Sequence, residues 1–221
     1  MNNSLLVFDM DGVLADVRDS YLASIEATVL HFTGKAISPD LITSYKKAGG
    51  WNNDWALAQK LIFDTARIEV PYHEVVEVFQ AVFLGRNHDG LINRETWIPQ
   101  SGLLERLSQN HSLGVFSGRT RFEIDLTLSR FASEVEWATI IADAEVANPK
   151  PAPDGLHTIA EARPKNSLTY IGDNIDDARS ARAAGVRFIG IADGDEDLAR
   201  VLRKDGAVAV IRSVNELEGI L

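Results

Sequence analysis

The feature that most restricts the fold is a short apolar run that stops on two acids. Leu5-Leu6-Val7-Phe8 is continuous, with β-branched and aromatic members, and Asp9-Met10-Asp11-Gly12 follows at once. An uninterrupted apolar run of this length reads as a strand buried on both faces, as in a parallel sheet. Aspartate is a poor strand former, and glycine can turn the chain away. The pattern therefore places two carboxylates at the carboxyl end of a buried strand, where open α/β sheets bind ligands. The bland alternative is a strand that ends in a polar turn, and the rest of the chain has to decide between them.

Beyond residue 100 the sequence alternates between short apolar runs and helical patterns. Strands are expected at Leu113–Phe116, Trp137–Ile141, Leu168–Ile171, Arg187–Ile191 and Ala207–Ile211. Thr120-Arg121-Phe122-Glu123 has capping-box spacing and opens a helix to about Phe131; another helix runs to about Ala162, and Gly185 stops the one rich in Ala178, Ala181 and Ala184. This alternation predicts an α/β fold with a doubly wound, Rossmann-like parallel sheet. Between about Asp16 and Ile92 the signals are helical throughout: Tyr21, Leu22, Ile25, Val29 and Phe32 at helical spacing, a Ser38-Pro39-Asp40 start, and Pro71 opening a run through Phe83. The expected organisation is a core from residues 1–15 and 93–221, with 16–92 inserted as an all-α cap.

Composition narrows the function. The 221 residues carry a net charge of −10, which disfavours nucleic acid, since phosphate neutralisation needs clustered Lys and Arg. A small anionic substrate stays open because it responds to local charge. There is no Cys, so thiol catalysis and zinc–thiolate sites are excluded. No membrane span or signal peptide is read at the N-terminus, and a cytoplasmic protein is expected. Oligomeric state is not legible.

Candidate chemistry gathers at strand ends. Asp9 and Asp11 suit a nucleophile and an acid/base, one attacking phosphorus and the other moving a proton. Asp173 follows Gly172, with Asp176 and Asp177 close behind. Such a density of carboxylates asks for a divalent cation, and oxygen-only ligands point to Mg²⁺. Asp9 and Asp173 are the expected side-chain ligands and Asp11 offers its backbone carbonyl. Asp177 is assigned to a metal-bound water or to bracing Lys150, with Asp176 competing for that place; both could equally cap the next helix. Ser117 with the amides of Gly118 and Arg119 forms a candidate phosphate cradle at a helix start. The Arg119 and Arg121 side chains could reach an anion or stand in solvent, and solvation is preferred. Lys150 lies in the proline-rich Asn148–Asp154 loop, which would present its ammonium at a fixed place.

Taken together, Asp9-Met10-Asp11-Gly12-Val13-Leu14, Ser117, Lys150-Pro151-Ala152-Pro153-Asp154 and Gly172-Asp173-Asn174-Ile175-Asp176-Asp177 resemble the haloacid dehalogenase superfamily, in the helical-cap branch that is similar to phosphoglycolate phosphatases. The resemblance covers nearly the whole chain. It implies Asp9 as nucleophile, Asp11 as acid/base, Ser117 and Lys150 at the phosphate, and Asp9, Asp11 and Asp173 at Mg²⁺. An acid at Asp11 implies phosphate ester hydrolysis over halide displacement. The expectation is a Mg²⁺-dependent phosphatase of a small phosphorylated metabolite. A phosphosugar mutase is the alternative, followed by a phosphonate hydrolase using Lys46 or Lys47 and by a non-catalytic binding protein. The Tyr45–Asp54 segment, with Lys46, Lys47, Gly50 and Asn52, is the candidate substrate-reading loop. Trp51 and Trp55 within it could instead be packing residues, Trp55 more so.

Overall fold

A computed structural model describes residues 4–161 and 167–221. The chain divides into a sheet unit, residues 1–15 and 97–221, and a helical unit, residues 16–96.

Six strands form the sheet: β1 (Leu5–Phe8), β2 (Ser112–Ser117), β3 (Trp137–Ala142), β4 (Leu168–Gly172), β5 (Arg187–Ile191) and β6 (Ala209–Ile211). Their order is β3-β2-β1-β4-β5-β6, and every pairing is parallel. β1 is central, with Phe8 level with Val115 on one side and Ile171 on the other. All four of its residues are buried, as expected of a strand covered on both faces. The chain order reverses on either side of β1, which is where the crossover helices part and leave a crevice at the carboxyl ends. A core of Leu5, Val7, Phe116, Leu156, Tyr170 and Phe188 lies along the sheet.

The helices that follow the strands end where local chemistry dictates. Thr120 and Glu123 close a reciprocal capping box on the helix Arg121–Phe131, and Asn174 caps Ile175–Ala184, which stops at Gly185 in the left-handed region. A helix runs from Asp154 to Glu161; the proposed end near Ala162 lies outside the described residues. Strand and helix ends otherwise fall within a few residues of the sequence expectation.

The helical unit contains α-helices at Ala23–Thr33, Pro39–Ala48, Asp54–Ala66 and Tyr72–Phe83. Ser38 and Asn53 cap the second and third with side-chain oxygens on backbone amides. Tyr21, Phe79 and Phe83 form its aromatic centre, and Trp55 meets Phe79 edge-on at 6.5 Å between ring centroids. Trp51 packs edge-on against Tyr45. Residues 93–96 group with this unit, whereas the sequence placed the return at 93. Leu91–Arg94 forms a 3-10 turn with Ile92 buried, and the buried Glu95 accepts a hydrogen bond from Ser20. No helix among the described residues is long and apolar enough to cross a membrane.

Candidate active site

Two adjacent strands, β1 and β4, deliver the acids to one edge. Asp9 leaves β1, its amide donating to Ile171 O at 2.8 Å, so the backbone stays in the sheet while the side chain passes its end. Asp173 leaves β4 next door. Gly12 holds the turn between them at φ +71°, and a Cβ there would stand 1.9 Å from Asp173 Oδ2. The two strand ends can come this close only because residue 12 lacks a side chain. Gly12→Ala is therefore expected to push Asp173 aside, and any divalent-cation affinity that rests on Asp173 is expected to fall about tenfold or more. Titration calorimetry with Mg²⁺ checks this, and an unchanged affinity would reject the close approach.

Lys150 is the hub. Its loop is pinned by Asn148, whose amide and side chain donate to Asp154 Oδ1 at 3.1 and 2.8 Å, and by Ser180 Oγ on Ala152 O at 2.8 Å. Its ammonium is buried, with Nζ 3.0 Å from Asp9 Oδ1, 2.9 Å from Asp177 Oδ1 and 3.1 Å from the Tyr170 hydroxyl. It also lies over the Phe116 ring at 5.1 Å. Behind it Gly155 lets the next helix press onto Phe116, where a Cβ would come within 2.3 Å of the ring.

Asp177 is fully buried. Its Oδ1 accepts from Lys150 and Tyr170, and its Oδ2 from the amides of Asp173 and Asn174 at 3.2 Å. It thus braces Lys150, and one of its oxygens also lies with those of Asp9 and Asp173. The Asp176 carboxylate stands 3.7 Å from Arg179.

Electrostatics follow from burial and crowding. Burial raises the Asp9 pKa well above its ordinary value; the charges of Asp177, Asp11 and Asp173 push the same way, against Lys150. Burial alone would lower Lys150, but Asp177 and Asp9, with smaller help from Tyr170 and Asp143, hold it well above the ordinary lysine value. Burial and Asp177 likewise raise the Tyr170 hydroxyl. Single oxygens of Asp9, Asp173 and Asp177 lie within 4.8 Å of one another. Lys150 pairs with Asp9 and Asp177 and Arg119 with Asp11, and a hard divalent cation held by oxygen fits the donor set of Asp9, Asp173 and Asp177.

Ser117 ends β2 beside β1, buried, with the Arg119 amide 3.3 Å from its Oγ; Gly118 between them is exposed. The expectation of a solvated Arg119 is corrected. Its side chain is 1% exposed and lies on Asp11 at 2.7 Å, with Nη1 donating to Thr127 Oγ1 at 2.8 Å. It precedes the helix cap, so its side chain turns inward. Arg121 is not free in solvent either: it pairs with Glu145 at 2.7 Å and donates to Ile140 O. Tyr170, Thr127, Phe116 and Asp143 were not expected. Tyr170 and Phe116 sit inside apolar strand runs, where nothing in sequence marks a functional face.

Lys46, Lys47, Gly50 and Asn52 belong to the helical unit. Lys46 pairs with the largely buried Asp54 at 2.7 Å, tying the end of one helix to the start of the next.

Residues 6–191 match the family model described as haloacid dehalogenase-like hydrolase. The chain is 32% identical over 194 residues to an imidazoleglycerol-phosphate dehydratase of Phytophthora nicotianae; the match covers 84% of this chain and spans only 42% of that protein's length. It is 26% identical over 196 residues to the pyrophosphatase PpaX of Anoxybacillus flavithermus, covering 87% of this chain and 85% of that one. A solved structure from Haemophilus somnus, titled a predicted phosphoglycolate phosphatase, shares the fold with a TM-score of 0.81, at 17% identity over 100% of this chain and 98% of that one. With a family match from the first strand to the fifth and the acidic crevice at the matching strand ends, the chain belongs to the haloacid dehalogenase-like hydrolase family.

Proposed function

We propose that this protein is a Mg²⁺-dependent phosphatase of a small phosphorylated metabolite, working through a phosphoryl group carried on Asp9. The observation that carries this is the buried Asp9 carboxylate at the end of the central strand, with Lys150 at 3.0 Å and Asp173 close by. A carboxylate so placed is a nucleophile fixed in position, and the cation beside it offsets the charge of an incoming phosphate.

Asp9 attacks phosphorus in line while the bond to the leaving oxygen breaks. Asp11 gives that oxygen its proton, then takes one from the water that attacks the aspartyl phosphate. Ser117 Oγ and the amides of Gly118 and Arg119 hold the phosphate oxygens at the end of β2. Lys150 draws charge away from the transferring group and is kept in place by Asp177 and Tyr170. Asp9, Asp173 and the Asp11 carbonyl would hold Mg²⁺, which supplies neutralisation of the phosphoryl oxygens. Lys46, Lys47, Gly50 and Asn52 are the proposed substrate-reading positions of the helical unit.

The test is phosphate release from a panel chosen on what the relatives' names carry: pyrophosphate, phosphoglycolate and imidazoleglycerol phosphate, with a hexose 1-phosphate added. Release with Mg²⁺ is expected to fall about 10³-fold or more in chelator, several kcal/mol of lost charge stabilisation. Release unchanged by chelation would reject the metal, and no release from any compound of the panel would reject the phosphatase. An isomeric sugar phosphate in place of free phosphate would identify a mutase.

A further inference from the structure

We infer that Arg119 is the positioning residue of the proton-transfer step: anchored on Thr127, its guanidinium holds Asp11 by Oδ1 and turns Oδ2 toward the reacting oxygen. This rests on the phosphatase reading above.

Asp11 lies beyond the strand, where the sheet no longer restrains it. Its side chain is 27% exposed, so without a partner its carboxylate would rotate freely. A general acid must meet the leaving oxygen within hydrogen-bond reach, and an ångström of misplacement is costly. Arg119 supplies the restraint. Nε donates to Asp11 Oδ1 at 2.7 Å and Nη2 stands 2.7 Å from the same oxygen. The planar fork thereby engages one carboxylate oxygen and directs the other.

The guanidinium is itself fixed. Only 1% of the side chain is exposed, and Nη1 donates to Thr127 Oγ1 at 2.8 Å. Thr127 is buried on the helix Arg121–Phe131, whose start is locked by the Thr120–Glu123 capping box. A continuous path thus runs from a rigid helix through Thr127 and Arg119 to the Asp11 carboxylate. The proton balance is that of the proposed reaction: Oδ2–H passes its proton to the leaving oxygen as the P–O bond breaks and the Asp9–phosphorus bond forms. The resulting Oδ2 carboxylate then accepts a proton from the attacking water. Arg119 neither gives nor takes one.

Leaving-group dependence separates this role from plain structural support. An alkyl phosphate needs protonation to depart, whereas p-nitrophenolate leaves without it. In Arg119→Met, which removes the guanidinium and keeps the backbone amide of the phosphate cradle, phosphoryl transfer to the enzyme from an alkyl phosphate is expected to fall about 10²-fold, while the p-nitrophenol burst rate changes less than about threefold. The slower second step then makes the burst more prominent. Thr127→Val, which leaves the guanidinium in place, is expected to give the same pattern at smaller size, and Arg119→Lys to restore part of the alkyl rate. Equal losses on both esters, or a raised KM with kcat unchanged, would overturn the inference while leaving the phosphatase intact; the second result would make Arg119 a phosphate binder. Wild-type protein inactive on both esters would overturn both.

Discussion

Asp9→Asn is expected to lower turnover by at least about 10⁴-fold, the scale on which removing a covalent nucleophile acts, with little change in stability. The amide has the shape of the carboxylate, and its oxygen can still accept from Lys150 Nζ, now 3.0 Å from Oδ1. It cannot displace an alkoxide from phosphorus. Stability is spared because the wild-type charge is held at a cost: burial and three neighbouring acids raise the Asp9 pKa. A neutral side chain removes that cost along with the attraction to Lys150, which keeps Asp177 and Tyr170. Steady-state phosphate release and thermal unfolding of the two proteins check both halves. Turnover within tenfold of wild type would remove Asp9 from the chemistry; a collapse in Tm would mean that its charge is structural.

The acids of this site are legible in sequence because their placement is local. An apolar run followed at once by Asp9 and Asp11, and another by Gly172-Asp173, states both a buried strand and what lies past its end. The parallel order then brings the two ends together, since β1 and β4 are neighbours. Partners that arrive across the fold are less legible. Lys150 can be named from its proline-rich loop, but its burial depends on Phe116 from β2 and on the close packing at Gly155. Tyr170 is hidden because a strand buried on both faces gives no alternation to set one residue apart. Arg119 and Arg121 lie on either side of a helix cap with the same side chain. Only the turn at Thr120 sends one inward to Asp11 and the other outward to Glu145. The end of the helical insertion blurs for a similar reason: Glu95 joins that unit through a hydrogen bond from Ser20, 75 residues earlier.

Lys150→Met carries the other large effect, and here stability and activity fall together. The substitution keeps an unbranched side chain under Phe116 but leaves Asp9 and Asp177 buried without their cation. Breaking a buried pair from one side costs about 3–5 kcal/mol, which for a chain of this size lowers Tm by roughly 10 °C. The effect has a sign in pH. In the wild type Lys150 has a raised folded pKa, so its contribution is fully present below its ordinary value of 10.5 and is lost only as pH rises through the higher folded value. In the variant Asp9 loses the Lys150 charge that lowers its pKa, so the acid is driven further above its ordinary 3.8. A raised carboxyl destabilises where the unfolded chain would ionise, so the deficit is largest at neutral pH and shrinks as pH falls toward 4. Unfolding of both proteins at pH 5 and pH 8 should therefore show the wider gap at pH 8. Turnover should drop by about 10³-fold or more, since in the proposed reaction this charge draws electrons from the phosphoryl group. A gap independent of pH, with turnover close to wild type, would mean that the ammonium is not the counter-charge of Asp9 and that the buried cluster is balanced in some other way.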